Sequence, residues 1–199
     1  QFEYILFFRK GKGVKINNCG TSDILEFPNK KIKLKDGTNA HDTEKPVDLM
    51  KVLICSDSHR RLDYFQQVME LENPEIVIFA GDHSTDAIDM SLVYRDVLFA
   101  IVKGNTDMDD YESRDTRIFD LMGKKVFLTH GHLYNVKRTL EELEKKAHLE
   151  KAEICVFGHT HKEYFAEKNG IIFVNPGALQ DKKYMLYYGG KKFESKVLK

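Results

Sequence analysis

Short apolar runs separated by polar segments dominate the chain from residue 50 onward, and they restrict its possible folds more than any other feature. The runs cover residues 52–55, 76–80, 97–102, 125–128, 154–157 and 171–174. Such runs are typical of strands that are buried on both faces of a sheet. Because these strands must be covered on both sides, they predict a layered α/β domain.

Helical periodicity occurs in two of the segments between the apolar runs. Residues 62–71 form one predicted helix, and residues 136–149 form the clearer one, for which Asn135 is a suitable N-cap. In the second segment, four apolar residues fall on one helical face: Val136, Leu140, Leu143 and Ala147. Further strands are expected at residues 184–188 and 193–197, so the sheet should become mixed or antiparallel toward the end of the chain.

Residues 1–49 contain only short apolar pieces, unlike the recurring apolar runs that follow, and they are predicted to lie outside the main domain. Residues 31–35 alternate between lysine and apolar residues, which predicts an exposed strand followed by a turn. Met50 leads directly into an apolar run, as the start of a protein often does. We therefore expect a domain at residues 50–199. Before it we expect a β-rich extension, the remnant of another domain, or sequence translated upstream of a start at Met50.

Charge and cysteine content argue against several classes of function. Lysine plus arginine and aspartate plus glutamate number 31 each, so the formal net charge is zero and no specific nucleic-acid binding is evident. No apolar run approaches the ~18–20 residues of a membrane span, so no membrane association is expected. The three cysteines form no CxxC motif, and we predict a reducing, cytoplasmic setting. The oligomeric state is left open, with a dimer among the alternatives.

Polar clusters follow five of the apolar runs. In chain order they are Ser56-Asp57-Ser58-His59, Gly81-Asp82, Gly104-Asn105-Thr106-Asp107, Thr129-His130-Gly131-His132 and Gly158-His159-Thr160-His161. In open α/β sheets, ligands bind outside the carboxyl ends of the strands, so these clusters are expected to meet in one crevice. Carboxylates, imidazoles and a carboxamide are ligands of divalent manganese, iron, nickel or zinc. The sequence therefore predicts a metal site.

Two of the clusters place ligand types two residues apart. In Asp57-x-His59 and His159-x-His161, alternate residues of an extended segment point the same way, so both side chains of each pair can reach one region. Either motif alone is more often an ordinary surface feature. Five clusters, each at the end of an apolar run, favour a common chemical role instead.

This series of clusters resembles that of the calcineurin-like metallophosphoesterases, and it is most similar to their small single-domain bacterial and archaeal phosphodiesterases. Three motifs carry the closer resemblance: Ser56-Asp57-Ser58-His59, Thr129-His130-Gly131-His132 and Asn175-Pro176-Gly177. The resemblance covers about residues 50–188 and does not reach residues 1–49. It implies the α/β fold of that family, a four-layer αββα sandwich.

The resemblance also implies a site for two divalent metal ions, with Asp82 shared between them. The first ion would be held by Asp57, His59, Asp82 and His161, and the second by Asp82, Asn105, His130 and His159. Manganese is the expected metal, with nickel, iron or zinc as alternatives. The implied reaction is hydrolysis of a small phosphate ester, most specifically a diester, by in-line attack of a hydroxide held between the two ions.

The chain departs from the family pattern at the residue after the asparagine. Many relatives have a histidine there, which is thought to protonate the leaving oxygen, whereas this chain has Thr106. We predict that His132 takes this catalytic role or contacts the phosphate, although outer support of the metal site is an alternative. Asn105 and His83 are further candidates for contact with substrate. Asp107 is a candidate catalytic residue, or it orients the loop of Asn105.

Two other functions stay open at the level of sequence. The retromer subunit of eukaryotes shares this fold and acts through protein contacts, so a non-catalytic binding scaffold is one alternative. A protein that stores or senses metal is the other. Every metal position of the series is filled here, which favours hydrolysis. The loops around residues 84–95 and 108–117 are expected to line the substrate pocket, but they contain no recognisable specificity motif.

Overall fold

The structure is a computed structural model that describes residues 24–26 and 50–199. The strand predicted at residues 31–35 lies outside the described residues. The strands are β1 (Ile24–Glu26), β2 (Val52–Cys55), β3 (Ile76–Ala80), β4 (Leu98–Val102), β5 (Thr116–Leu121), β6 (Lys124–Thr129), β7 (Ile154–Val156), β8 (Glu163–Lys168), β9 (Ile171–Pro176), β10 (Lys183–Tyr187) and β11 (Phe193–Val197). The helices are α1 (Leu62–Glu72), α2 (Ser84–Val93) and α3 (Glu141–Leu149), with short 3-10 helices at His132–Tyr134 and Leu179–Asp181.

The strands form two mixed sheets. One has five strands in the order β11-β10-β2-β3-β4, in which β2, β3 and β4 run parallel and β10 is antiparallel to both of its neighbours. The other has six strands in the order β1-β5-β6-β7-β9-β8, in which β6, β7 and β9 run parallel. Residues 24–26 pair in parallel with β5, so this part of the N-terminal segment extends the second sheet. The division of the chain near residue 50 stays a prediction.

Side chains alternate between two cores along each central strand, because successive residues of a strand point to opposite faces. Val52 and Ile54 of β2 face inward and meet side chains of the six-stranded sheet, such as Val126 and Val156. The outer faces carry the helices, and Leu53 packs on the side of α1 and α2.

A third core lies between the outer face of the six-stranded sheet and helix α3. Phe127 and Cys155 of the six-stranded sheet pack with Leu143 and Ala147 of α3. The layers therefore follow the order helices, sheet, sheet, helix. The predicted four-layer αββα sandwich is confirmed.

The predicted helix at residues 136–149 is shorter than expected. The α-helix begins at Glu141, and Asn135 does not cap it, because its left-handed backbone (φ 53°) ends the 3-10 helix His132–Tyr134 instead. Val136 is buried against Gly131, where a Cβ would lie 2.9 Å from Val136 Cγ2. This packing fixes the segment in a non-helical path that the apolar periodicity could not indicate.

Three elements have weak sequence signals and were not predicted. Helix α2 occupies most of the expected loop at residues 84–95, and it buries Ser84 and Asp86 beside apolar residues, which obscures its apolar stripe. Strand β8 lies at a sheet edge with every second residue exposed. Strand β5 begins at Thr116, within the second expected loop. Within residues 24–26 and 50–199, no helix is both long and apolar enough to cross a membrane.

The helix-covered core of the six-stranded sheet offers a test of the layered arrangement. Phe127 is fully buried there, so Phe127→Ala is expected to lower the free energy of unfolding by about 3–5 kcal/mol in urea titrations, through lost burial and the cavity left behind. Phe165→Ala is the matched control, because Phe165 is 52% exposed and should change stability by less than about 1 kcal/mol. Equal losses in the two variants would contradict this packing.

Candidate metal centre

The polar clusters lie at one end of the sandwich, and both sheets contribute to them. Those that follow β2, β3 and β4 come from the five-stranded sheet, whereas those that follow β6 and β7 come from the six-stranded sheet. The site is therefore a crevice between two facing sheets, not the edge of one open sheet. Its ligand-type residues form two groups that have Asp82 in common.

The first group consists of Asp57, His59, Asp82 and His161, whose potential ligand atoms all lie within 4.8 Å of one another. His161 Nε2 lies 3.1 Å from Asp57 Oδ1, and His59 Nε2 lies 3.8 Å from Asp82 Oδ2. The Nε2 atoms of the two histidines are 3.4 Å apart. When both neutral rings carry their protons on Nδ1, the two Nε2 lone pairs repel each other at this distance, so the arrangement favours a cation or a proton between them.

The second group consists of Asp82, His130 and His159. His130 Nε2 lies 3.3 Å from Asp82 Oδ1 and 3.1 Å from His159 Nδ1. The other ring nitrogen of His130 lies 2.7 Å from the carbonyl oxygen of Ala80 and must donate to it. In the neutral ring that bond leaves a lone pair on Nε2, which is the tautomer that a metal ligand requires, whereas the protonated ring can donate from Nε2 to Asp82.

The residues present fit a divalent cation. Asp57 is fully buried, and its Oδ1 forms no hydrogen bond although it faces the first group. A buried carboxylate oxygen without a hydrogen bond is costly, and a metal ion would satisfy it. Mixed nitrogen and oxygen donors suit manganese, iron, nickel or zinc. The chain therefore has the ligands for a divalent metal.

The ligand loops have strained backbones. Five of the ligand residues have positive φ values: Asp57 at 54°, His59 at 45°, Asp82 at 63°, His159 at 68° and His161 at 57°. Each such conformation costs about 1–3 kcal/mol and persists only where the surroundings fix it. Strain of this kind concentrates at functional sites, and here it turns the side chains into the crevice.

Two glycines allow the ligand loops to approach closely. A Cβ on Gly104 would lie 2.1 Å from Asp82 Oδ1, and a Cβ on Gly158 would lie 2.8 Å from Asp57 Oδ2. Any larger residue at either position would displace a carboxylate of the site. Only glycine leaves room for the carboxylates of Asp82 and Asp57 at these two positions. This explains why the clusters after β4 and β7 both begin with glycine.

Backbone N–H groups orient the two carboxylates. Thr106 N donates to Asp82 Oδ1 at 3.1 Å, and His159 N donates to Asp57 Oδ2 at 3.2 Å. Each carboxylate is thus fixed by the loop of a different cluster.

Further from the ligands, Asp107 and Asp86 fix the loops themselves. Asp107 accepts hydrogen bonds from Gly104 N at 2.7 Å and from Ser84 N at 3.0 Å. Both of its oxygens are therefore engaged with backbone, which suits the predicted orienting role. Asp86 accepts from Ser58 Oγ at 2.7 Å and from Arg60 N at 2.9 Å, beside the Asp57-x-His59 motif. Asp86 was missed at the level of sequence, since no motif marks a buried aspartate on a helix.

The predicted substrate residues lie around the two groups. The ring of His132 is 5.5 Å from that of His130 and 6.1 Å from that of His159, beside the second group. The ring of His83 is 5.2 Å from that of His59, beside the first. The Nδ1 atoms of His132 and His83 are buried without a hydrogen bond. Asn105 is exposed on the loop that follows β4.

The protonation of the site is uneven. Burial alone would raise the pKa of Asp82, but its hydrogen bond with His130 and the nearby imidazole charge hold the pKa well below its usual range. Burial lowers the pKa of His159 to about 4, with a contribution from His130. Burial also opposes protonation of His130, yet the bond with Asp82 raises its pKa above the ordinary value. The carboxylate of Asp57, whose Oδ1 lies 3.1 Å from His161 Nε2, raises the pKa of His161.

Metal affinity should therefore depend on pH through His130 and His161. Their raised pKa values mean that protons occupy these rings up to a higher pH, so metal must displace protons and its affinity falls as the pH is lowered. At His159, whose pKa is about 4, protons compete with metal only in stronger acid. Calorimetric titration with Zn²⁺ should show weaker binding at about pH 6 than at about pH 8, with release of protons. An affinity that is constant over this interval would contradict the assignment of these histidines.

An αββα sandwich with imidazole and carboxylate groups at one end is the architecture of a metallophosphoesterase. The chain belongs to the calcineurin-like phosphoesterase superfamily, since the profile described as the Calcineurin-like phosphoesterase superfamily domain matches residues 50–188. These are the bounds that the sequence motifs indicated, and the predicted family is confirmed.

Named relatives agree with this assignment. The chain is 33% identical over 137 residues to a probable metallophosphoesterase of Mycoplasma pneumoniae, which covers 66% of this chain and 80% of the relative. It is 29% identical over 149 residues to a phosphodiesterase of Methanocaldococcus jannaschii, which covers 64% of this chain and 83% of the relative. The chain is thus similar, over most of their length, to proteins named a probable metallophosphoesterase and a phosphodiesterase.

Solved structures show the same fold. One, described as a novel archaeal phosphodiesterase, has a TM-score of 0.58 and 22% identity over 75% of this chain and all of its own. Another is Vps29 of Entamoeba histolytica complexed with Zn²⁺, with a TM-score of 0.60 and 19% identity over 75% of this chain and 98% of its own. At these identities the likeness concerns the fold alone.

Proposed function

We propose that this protein is a phosphodiesterase that hydrolyses a small phosphate ester with two divalent metal ions, manganese being the first candidate. The observation that carries the proposal is the position of Asp82. Its Oδ2 faces His59 at 3.8 Å, and its Oδ1 faces His130 at 3.3 Å. A carboxylate with one oxygen toward each ligand group suits a bridge between two ions.

The residues divide into two ligand sets that share this bridge. Asp57, His59, Asp82 and His161 would hold one ion, and Asp82, His130 and His159 would hold the other. Asn105, on the loop that follows β4, is the proposed fourth ligand of the second ion. When bound, such ions supply positive charge to the phosphate and lower the pKa of water toward ~7, which makes hydroxide available for in-line attack on phosphorus. Asn105 is exposed, and we propose that its carboxamide also orients a phosphate oxygen.

His132 is the proposed contact for the phosphate or the leaving oxygen. Burial lowers its pKa, so the ring is uncharged at neutral pH, and its N–H can donate a hydrogen bond to an oxygen of the substrate. Thr106, which follows Asn105, has no group that could donate a proton to an alkoxide as readily. Esters with good leaving groups should therefore react well, whereas alkyl esters should react slowly. His83 is the corresponding candidate for substrate contact beside the first group.

The related proteins support the phosphodiesterase proposal over a scaffold. The relative from Methanocaldococcus jannaschii is named a phosphodiesterase, and it is 29% identical in sequence to this chain, against 19% for the Vps29 structure. All seven expected ligand positions hold a ligand-type residue in this chain. The cytoplasmic location, the identity of the metals and the oligomeric state stay predictions.

Hydrolysis of bis(p-nitrophenyl) phosphate tests the proposal directly. The Mn²⁺-loaded protein should release p-nitrophenol, and a chelator should abolish this activity. His159→Ala is expected to lower kcat by about 100-fold or more, because it removes a proposed ligand of the second ion. His148→Ala is the matched control, since His148 is exposed on α3 and should leave kcat unchanged. A fully metallated protein without turnover on activated monoesters and diesters would refute the enzymatic proposal.

The role of His132 can be separated from support of the metal. His132→Ala should slow an alkyl ester more than a p-nitrophenyl ester, by about 10-fold or more in the ratio of their kcat values, because only the alkoxide needs a donor on leaving. Metal content should stay at the native level in this variant. Equal losses for both esters, accompanied by loss of metal, would assign His132 to the support of the second group instead.

A further inference from the structure

Gln180 lies between two ligands of the first group, although neither the motif series nor the family resemblance marks it. It belongs to the 3-10 helix Leu179–Asp181, in the connection that leads from β9 of one sheet to β10 of the other. Its side-chain Nε2 is placed 3.0 Å from Nδ1 of His161, and its backbone N donates to the carbonyl oxygen of Asp57 at 3.1 Å. One residue thus touches ligands that come from different sheets.

The connection that carries Gln180 is firmly attached to the Asp57 loop. Leu179 N donates to Ser56 O at 2.8 Å, and Ser56 Oγ donates to the carbonyl oxygen of Gly177 at 2.9 Å. Ser56 and Leu179 are fully buried. The position of the Gln180 backbone is therefore fixed, which keeps its half-buried side chain within reach of His161.

The chemistry of His161 shows what this contact does. The Nε2 atom of His161 faces Asp57 and His59, so Nε2 must hold the lone pair if His161 is a metal ligand. A neutral imidazole then carries its proton on Nδ1, and that N–H needs an acceptor. A carboxamide can turn its oxygen or its nitrogen toward a neighbour by rotation about one bond. If the Gln180 carboxamide is turned about that bond, Oε1 takes the place of Nε2 and accepts a hydrogen bond from the Nδ1–H of His161.

We infer that Gln180 is a positioning residue, whose carboxamide oxygen accepts a hydrogen bond from His161 Nδ1 and so holds His161 in the tautomer that binds the first metal ion. Two histidines of the site then have acceptors of their own, since Ala80 O does for His130 what Gln180 does for His161. The inference rests on the proposed ligand role of His161.

Zn²⁺ titrations of three variants test the inference without reference to turnover. Gln180→Met keeps the length of the side chain and removes its polar atoms, so it should weaken Zn²⁺ binding at the first group by about 10–100-fold. Gln180→Glu can only accept, and it should bind Zn²⁺ within a few-fold of the native protein or more tightly. Gln66→Met is the matched control, because Gln66 is exposed on α1 and pairs with Glu70 there. It should bind Zn²⁺ as the native protein does.

The position of the proton on the His161 ring gives a second readout. It reports the tautomer itself, whereas a change in affinity could also come from altered packing or from the charge added in Gln180→Glu. In the Zn²⁺-bound native protein and in Gln180→Glu, the ¹⁵N chemical shifts of His161 should show a protonated Nδ1 and a metal-bound Nε2. Native affinity in Gln180→Met, or an unprotonated Nδ1 in the Zn²⁺-bound native protein, would overturn the inference. If Gln180→Met does not fold, the ¹⁵N shifts and the affinity of Gln180→Glu decide, and a tenfold loss in Gln180→Glu overturns it.

These outcomes differ from a failure of the proposed function. A native protein that binds no Zn²⁺ would refute the two-metal phosphodiesterase itself. A native protein that binds two ions, together with an unaffected Gln180→Met, would refute only the role of Gln180. His59→Ala serves as the reference for loss of the first ion, since His59 belongs to that group alone.

Discussion

The concentration of buried negative charge at one end of the sandwich is the constraint on which the site depends. Asp57 is fully buried and Asp82 is 3% exposed, and their carboxylates share a crevice with four imidazoles. Ionised carboxylates with so little access to water are stable only when positive charge compensates them. Protonated histidines do this in part, as the low pKa of Asp82 beside His130 indicates. Divalent cations would do it more completely, and they would also satisfy the oxygen of Asp57 that has no hydrogen bond.

The price of this arrangement is a strained backbone, and the rest of the fold compensates for it. Five ligand residues adopt left-handed conformations, which together cost several kcal/mol on the scale of about 1–3 kcal/mol each. The three apolar cores stabilise the strands that carry these loops, so the loops have little freedom to relax. Gly104 and Gly158 remove the remaining steric conflict with the carboxylates. The site is therefore preorganised, in the sense that its geometry is fixed by packing outside it.

Each sheet carries part of the site, and hydrogen bonds between loops of the two sheets hold these parts together. The first group takes Asp57 and His59 from the five-stranded sheet and His161 from the six-stranded sheet. His159 N, which belongs to the six-stranded half, donates to Asp57 in the other half. The connection through Leu179 and Gln180 adds backbone bonds to the same loop. Since these bonds cross the interface between the sheets, the ligand distances depend on how the sheets face each other.

The sequence by itself determined the main strands, the polar clusters at their ends, the family and six ligand candidates that the structure brings into two groups. These are local properties, because an apolar run and the residue types that follow it are read from neighbouring positions. The tertiary structure decided that the clusters lie on two sheets, that Asp107 and Asp86 bind backbone, and that Asn135 ends a short turn. It also placed Gln180 beside His161. Such features depend on contacts between residues far apart in the chain, as with His159 and Asp57, which are 102 positions apart. Periodicity and spacing carry no record of such contacts, because they describe only what each segment could do alone.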